Sequence, residues 1–135
     1  MIVLSWNVRG LNTPQKYSSL RGLVLKVKPD FVMLQEVKWS VIDYCKLRSC
    51  GLSTGWECDL VPADGTAGGI LSLWRSSILR KGTVDILDRA LVWKGTDIKS
   101  GDELAFINVY APSTTRARKV LWRSLIQVIE QLQLL

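Results

Sequence analysis

The chain has 135 residues, of which 47% are hydrophobic and 22% charged, a composition typical of one globular domain and unlike that of disordered chains. We therefore expect a single domain over residues 1–135. With 18 basic and 12 acidic residues the formal net charge is +6, which favours an anionic partner such as nucleic acid. The chain contains no histidine, and this excludes Ser-His-Asp and Cys-His triads and histidine-ligated zinc for the chain acting alone.

Membrane and secretory signals are not recognised in the sequence. No apolar run approaches the length needed to span a bilayer, and the first residues show neither a basic n-region nor a small-residue cleavage site. We therefore expect an intracellular protein with no membrane partner. The three cysteines, Cys45, Cys50 and Cys58, form neither an even disulfide framework nor a CxxC pair, so we interpret them as buried small hydrophobes.

The first 36 residues predict a strand, a helix and a second strand. The opening run MIVLSW indicates a buried strand. Thr13 followed by Pro14 is a typical helix start, and Pro29 ends the helix. One apolar face of this helix is formed by Tyr17, Leu20, Val24 and Val27. The next segment, DFVMLQE, is too short for a helix and is typical of a strand buried on both faces of a sheet.

The two predicted strands each end in a polar side chain, Asn7 and Glu36. A right-handed crossover leaves the strands parallel, so their carboxyl ends lie side by side if they are neighbours. Ligands of open α/β sheets bind at such ends. One neutral and one charged oxygen ligand suit a hard divalent cation such as magnesium, and the alternative is that both residues are simply solvated strand ends.

The rest of the chain predicts antiparallel strands followed by a helix. Strand candidates are GILSLW after Gly68 and Gly69, TVDILD, ALVWKG and ELAFINVYAPS. Tyr110 is the polar tip of the last candidate; it can donate to a phosphate oxygen or simply line a wall. The helix is predicted to begin near Thr114 or Thr115, with one apolar face formed by Leu121, Leu125, Val128, Leu132 and Leu135.

Four stretches, LSWNVRGLN, KPDFVMLQE, AGGILSLW and NVYAPS, resemble in content and order the endonuclease/exonuclease/phosphatase superfamily. Within it they are most similar to the endonuclease domain of plant LINE-type (non-LTR) retroelements. The resemblance covers the first residue to about residue 113, and the helix around LWRSLIQVI resembles the element that follows in the family. It implies a mixed α/β (α+β) fold: part of a two-sheet sandwich flanked by helices.

The resemblance also implies a site and a chemistry. Members hydrolyse phosphodiester or phosphomonoester bonds with a divalent metal, usually Mg²⁺ or else Mn²⁺. Glu36 would be the metal-binding carboxylate, Asn7 would belong to the metal and phosphate constellation, and Tyr110 would contact the phosphate. The cations that could meet a DNA backbone are Arg9, Lys16, Arg21, Arg116, Arg118 and Lys119, although each is also explained as solvated surface charge.

The chain departs from the family pattern in two motifs. Members carry an Asp-x-Asn motif after the tyrosine strand and an Asp-His pair near the C-terminus, and neither is present here; GDEL at residues 101–104 has the aspartate without the asparagine. The sequence therefore resembles the N-terminal half of a catalytic domain, truncated after the first half. Its partners would be DNA and the missing C-terminal half or reverse transcriptase region, with Mg²⁺ weakly bound if at all and any activity small.

Three functional hypotheses remain open at this point. The first is a metal-dependent DNA endonuclease of a retroelement, located in the nucleus if functional. The second is a non-catalytic remnant or a basic module that binds nucleic acid without cutting it. The third is a phosphatase or other phosphodiesterase of the same superfamily. Magnesium-dependent nicking separates the first two, and hydrolysis of small phosphate esters tests the third.

Overall fold

The computed structural model describes residues 1–64 and 68–132. The strands within these ranges are β1 (Val3–Asn7), β2 (Phe31–Gln35), β3 (Trp56–Val61), β4 (Ile70–Arg75), β5 (Leu79–Leu87), β6 (Ala90–Asp97) and β7 (Glu103–Val109). The helices are α1 (Pro14–Val27), α2 (Tyr44–Ser49) and α3 (Thr115–Leu132). Across these described residues, no helix combines the length and the apolar character that crossing a lipid bilayer requires.

Helix α1 begins and ends where the local sequence signals predict. The Thr13 hydroxyl accepts a hydrogen bond from the Lys16 amide at 3.3 Å. Pro14 occupies the first turn, where a backbone N–H has no acceptor within the helix, so the lack of an N–H in proline costs no hydrogen bond. Lys28 adopts the left-handed conformation at the C-cap, and its N–H donates to the Val24 carbonyl. Leu20 and Val24 are buried, which confirms the predicted apolar face.

The first sheet contains four strands in the order β1-β2-β4-β3. β1 and β2 are parallel neighbours, with Asn7 paired to Gln35, so the predicted parallel pairing of these two strands is confirmed. β2 and β4 are antiparallel neighbours, and four of the five residues of β2 are buried. Helices α1 and α2 cover one face of this sheet, where they form a core cluster with alternate residues of β2 and β4.

The second sheet contains three antiparallel strands in the order β5-β6-β7. Its inner face packs on the first sheet through an aromatic cluster formed by Phe31, Trp74, Trp93 and Phe106. Its outer face is covered by α3, from which Leu121 and Leu125 are buried against β6 and β7. The layers are therefore helices, sheet, sheet and helix, which confirms the predicted two-sheet sandwich flanked by helices. Leu135, predicted on the apolar face of α3, lies outside the described residues.

The interpretation of β1 as a buried strand was wrong. Within the described residues β1 is bonded to β2 alone and forms an edge of the first sheet. Val3, Ser5 and Asn7 are exposed, and only Leu4 and Trp6 are half-buried against the helix layer. An apolar run shows that a strand has a face to bury, but not whether neighbouring elements cover both faces.

The interpretation of the cysteines as buried was wrong for Cys45, which is exposed. Cys45 lies on α2, a six-residue helix that was not predicted and in which Leu47 alone is buried. Cys50 is buried and Cys58 half-buried, and burial raises the pKa of each thiol to about 11 because it disfavours the charged thiolate.

Candidate active site

The loops that follow β1 and β2 run side by side at one edge of the first sheet. The backbone pairing continues beyond the strands, because the amides of Val8 and Leu11 donate to the carbonyls of Gln35 and Val37, both at 3.0 Å. Asn7 ends β1 opposite Gln35, and Glu36 is the next residue after β2. The structure therefore places Asn7 and Glu36 at neighbouring positions on adjacent strand ends.

Three non-glycine residues in these two loops adopt the left-handed backbone conformation. They are Arg9, Glu36 and Lys38, with φ values of 50°, 55° and 59°. This conformation costs about 1–2 kcal/mol for a residue with a β-carbon, and such strain is concentrated at functional sites. The Asn7 side chain stabilises the first loop, since its Oδ1 accepts from the Arg9 amide at 3.2 Å.

Tyr110 joins the second sheet to this edge. Its hydroxyl donates to Glu36 Oε1 at 2.9 Å, although the two residues are 74 positions apart in the chain. The backbone of Tyr110 is held as well, because its amide donates to the Arg89 carbonyl at 2.9 Å. The hydrogen bond to Glu36 raises the pKa of Tyr110 above its ordinary value of 10.0, and burial and the negative charge of Glu36 add to the effect.

The pKa of Tyr110 gives a pH-dependent prediction. A tyrosine with a raised pKa contributes stability that is complete below its unfolded-state value and is lost as the pH rises through the folded-state value. We expect the free energy of unfolding of the wild type relative to Tyr110→Phe to be constant from about pH 7 to 9 and to shrink above about pH 10. Urea unfolding across this range measures it, with Tyr44→Phe at an exposed tyrosine as the matched control. A difference that is flat over the whole range would mean that the hydroxyl does not bond to Glu36.

Gly68 lies against the backbone and side chain of Glu36. A β-carbon at position 68 would come within 2.7 Å of Glu36 Cγ and 2.8 Å of Glu36 Cα. The carbonyls of Gly68 and Gly69 also accept from the amides of Lys38 and Val37, at 2.6 and 3.3 Å. The glycine pair therefore allows the chain before β4 to support the loop that carries Glu36.

Gly68→Ala is expected to displace Glu36 and to destabilise the fold by about 1–3 kcal/mol, the usual cost of overpacking. The added methyl group meets the Glu36 α-carbon, which cannot move aside as a flexible side chain could. Chemical denaturation followed by tryptophan fluorescence measures the change. Wild-type stability in this variant would show that the loop after β2 has room to shift.

A cavity of about 260 Å³ opens beside Tyr110, lined in part by Asp64, Gly68, Asp88 and Arg89. The Arg89 guanidinium lies 5.7 Å from the centre of the Tyr110 ring, at cation–π distance. Nothing in the sequence pattern marks Arg89, which occupies the turn between β5 and β6 with φ 64°. It reaches the site because the pairing of Ala90 with Val109 brings this turn beside the end of β7.

The family model for the Endonuclease/Exonuclease/phosphatase family matches residues 4–135. The chain belongs to this family. The recognised superfamily is thereby confirmed, and the narrower assignment to retroelement endonucleases stays a prediction.

Solved structures share the fold of this family member. D. rerio TDP2 complexed with single strand DNA product matches with a TM-score of 0.76 and 20% identity over 96% of this chain and 54% of that one. AP endonuclease LMAP from Leishmania major matches with a TM-score of 0.61 and 22% identity, covering 90% and 43%. ANGEL2, a 2',3'-cyclic phosphatase, matches with a TM-score of 0.60 and 12% identity, covering 82% and 41%. The chain thus spans about half the length of these structures.

The predicted cations are not all near the Glu36–Tyr110 contact. Arg9 is exposed, two residues after Asn7. Arg116 lines a second cavity of about 440 Å³, which shares the β5–β6 turn with the cavity beside Tyr110. Arg118 bonds to the Ser113 carbonyl and the Thr115 hydroxyl, at 3.4 and 3.3 Å, at the start of α3. Lys16 lies on α1 with its Nζ 5.2 Å from the centre of the Trp6 ring, on the helix-covered side of the first sheet.

The oxygen donors of this family member fit a hard cation that keeps most of its own water. Glu36 supplies a carboxylate of which one oxygen accepts from Tyr110, and Asn7 supplies a carboxamide oxygen on the adjacent strand end. Over residues 1–64 and 68–132 there is no cluster of three or more His, Cys, Asp or Glu side chains that could enclose a metal. One carboxylate with waters and substrate phosphate oxygens is a normal environment for Mg²⁺, whereas Ca²⁺ takes six to eight protein and water oxygens.

Proposed function

We propose that this chain provides the metal- and phosphate-binding part of a hydrolase that cleaves phosphodiester bonds in DNA, of the non-LTR retroelement endonuclease type. The observation that carries the proposal is the 2.9 Å hydrogen bond from Tyr110 to Glu36, which joins the two sheets at the edge where Asn7 also lies. Membership of the Endonuclease/Exonuclease/phosphatase family supports the hydrolytic chemistry.

Each residue has a distinct task in this proposal. Glu36 and Asn7 would hold a magnesium ion, which supplies charge stabilisation for phosphoryl oxygens when bound. Tyr110, which its hydrogen bond to Glu36 holds at the site, would donate its hydroxyl proton to a phosphate oxygen in place of Glu36 when substrate is bound. Arg89 and Arg116 line the two adjoining cavities and would neutralise the DNA phosphates on either side of the one that is cleaved.

DNA as the substrate is supported by charge and by likeness. The net charge of +6 favours a polyanion, and one solved structure with this fold was determined with a single-stranded DNA product. The retroelement type is supported by the four stretches quoted above, chiefly WNVRGLN and GGILSLW.

Nicking of supercoiled plasmid tests the proposed function. We expect slow, magnesium-dependent formation of nicked circles, which falls to background in Glu36→Gln and persists in the matched control Glu130→Gln on the exposed side of α3. The rate should be slow because the chain offers no histidine as a general base. Equal nicking by the wild type and Glu36→Gln would trace the activity to a contaminating nuclease and overturn the proposal.

A second candidate function is DNA binding without cleavage. It is favoured by the donor set, since the described part of the chain has no group of three or more His, Cys, Asp or Glu side chains that includes Glu36. Fluorescence anisotropy with labelled DNA in Ca²⁺ or Mg²⁺ distinguishes it: binding that weakens steeply with salt, together with no nicking, supports this candidate. Hydrolysis of small phosphate esters without nicking would instead support a phosphatase.

A further inference from the structure

A small group of polar side chains lies between the two sheets, one layer beneath the Glu36–Tyr110 contact. Gln35, Ser72 and Asn108 are the buried polar residues of the described chain, exposed by 9%, 0% and 1%. Their surroundings are otherwise the apolar inner faces of both sheets. We call these three residues, together with the exposed Ser5 of the edge strand β1, which Gln35 contacts, the interlayer cluster.

Hydrogen bonds within the interlayer cluster connect four strands. Gln35 Nε2 donates to Asn108 Oδ1 at 2.8 Å, and it also lies 3.2 Å from Ser5 Oγ. Asn108 Nδ2 donates to the Leu71 carbonyl at 3.0 Å and to Ser72 Oγ at 3.1 Å. Asn108 is therefore bonded through both ends of its amide, and it ties β7 to β2 and β4 of the opposite sheet.

The interlayer cluster is in register with the candidate site. Asn108 on β7 precedes Tyr110, the residue just after that strand, by two positions, and Ser5 precedes Asn7 by two positions on β1, a step of about 7 Å along a strand. Gln35 immediately precedes Glu36. Each strand that contributes a site residue thus also contributes a member of the cluster directly behind it.

Apolar contacts between sheets are not directional, so they permit small relative shifts that hydrogen bonds do not. A shift of β7 along β2 would move Tyr110 away from Glu36 without exposing the aromatic cluster. We propose that Gln35 and Asn108 are positioning residues, whose amide–amide bond sets how the second sheet lies on the first and thereby holds Tyr110 on Glu36. The part of this inference that concerns metal binding rests on the proposed function.

Two variants test the positioning role. Gln35→Met keeps the length of the side chain and removes its bond to Asn108. The double variant Gln35→Leu/Asn108→Leu removes both amides, which avoids leaving either one buried without a partner, and it provides the test if the single variant fails to fold. Leu91→Ala is the matched control, because Leu91 is buried in the same layer, directly opposite Asn108 in the β6–β7 pair, and carries no polar group.

Two measurements are made on each variant. A crystal structure gives the distance from Tyr110 Oη to Glu36 Oε1. The electron paramagnetic resonance signal of unbound Mn²⁺ gives the Mn²⁺ dissociation constant. We expect the distance to exceed hydrogen-bond range and the dissociation constant to rise about 10-fold or more in Gln35→Met and the double variant. Leu91→Ala should keep the wild-type distance of 2.9 Å and the wild-type affinity despite its lower stability.

The outcomes separate the positioning role from the proposed function. An unchanged distance in Gln35→Met or the double variant would overturn the positioning role and make the interlayer cluster a purely structural feature. A lengthened distance in Leu91→Ala would overturn it too, because any loss of packing would then suffice. If the wild type binds no Mn²⁺, the proposed function fails, and the distance still decides the role of Gln35 and Asn108.

Discussion

Glu36→Gly is expected to fold more stably than Glu36→Ala by about 1 kcal/mol, while both variants lack the carboxylate to which the proposed function assigns divalent-metal binding. The backbone at position 36 is left-handed, with φ 55°, and a β-carbon in that conformation costs about 1–2 kcal/mol that glycine does not incur. Part of the gain is offset because glycine has more conformational freedom in the unfolded chain. Both variants remove the same carboxylate and the same hydrogen bond to Tyr110, so the difference in their stability reports the backbone strain less this unfolded-state cost of glycine.

The loss of metal affinity in these variants should exceed about 100-fold, because even loss of a group that only supports a ligand costs about 10–100-fold. Glu36→Gln is the third member of the series. It keeps an oxygen that can accept from Tyr110 and removes the charge, so it should lose the metal but retain more of the fold's stability than Glu36→Ala. Mn²⁺ titration and urea unfolding measure the two quantities, and an alanine variant as stable as the glycine variant, or more so, would contradict a strain of about 1–2 kcal/mol at position 36.

Local signals were sufficient for part of the fold. The Thr13 cap, Pro14 and the apolar spacing define α1, and the short apolar run before Glu36 defines β2. The crossover rule then brought Asn7 and Glu36 to the same sheet edge without knowledge of any other contact. These predictions depend on residues within one strand–helix–strand unit, where sequence distance and spatial distance are closely related.

The rest of the site depends on contacts between sheets that no local pattern encodes. The bond between Tyr110 and Glu36 requires the second sheet to stack on the first in one register, and Arg89 reaches the site through strand pairing with β7. The left-handed backbone at Glu36 was also not predictable, because glutamate is not a residue type that favours it. Exposure of β1 was missed for a related reason, since coverage of a strand is a property of its neighbours.

Gly95→Ala is expected to destabilise the protein by about 3 kcal/mol, a large share of the typical stability of about 5–15 kcal/mol for a domain. A β-carbon at position 95 would overlap the carbonyl oxygen of Arg80 on β5 and the ring of Trp93 two residues earlier on β6. Neither group can move away from the added methyl group without breaking other contacts. Arg80 contributes backbone that is paired in the sheet, and the fully buried Trp93 ring is packed 5.3–5.6 Å, centre to centre, from three other aromatic rings.

Gly22→Ala is the matched control for this prediction. Gly22 lies on the exposed side of α1 and a β-carbon there meets no atom within 4 Å, so alanine should stabilise the protein by about 0.5–1 kcal/mol through its higher helix propensity. Urea unfolding of the two variants should therefore move the midpoint in opposite directions. A small effect of Gly95→Ala would mean that the Trp93 ring has a second packing arrangement. The aromatic cluster would then not fix the spacing of the two sheets. In that case the hydrogen bond from Tyr110 to Glu36 would depend on the interlayer cluster alone.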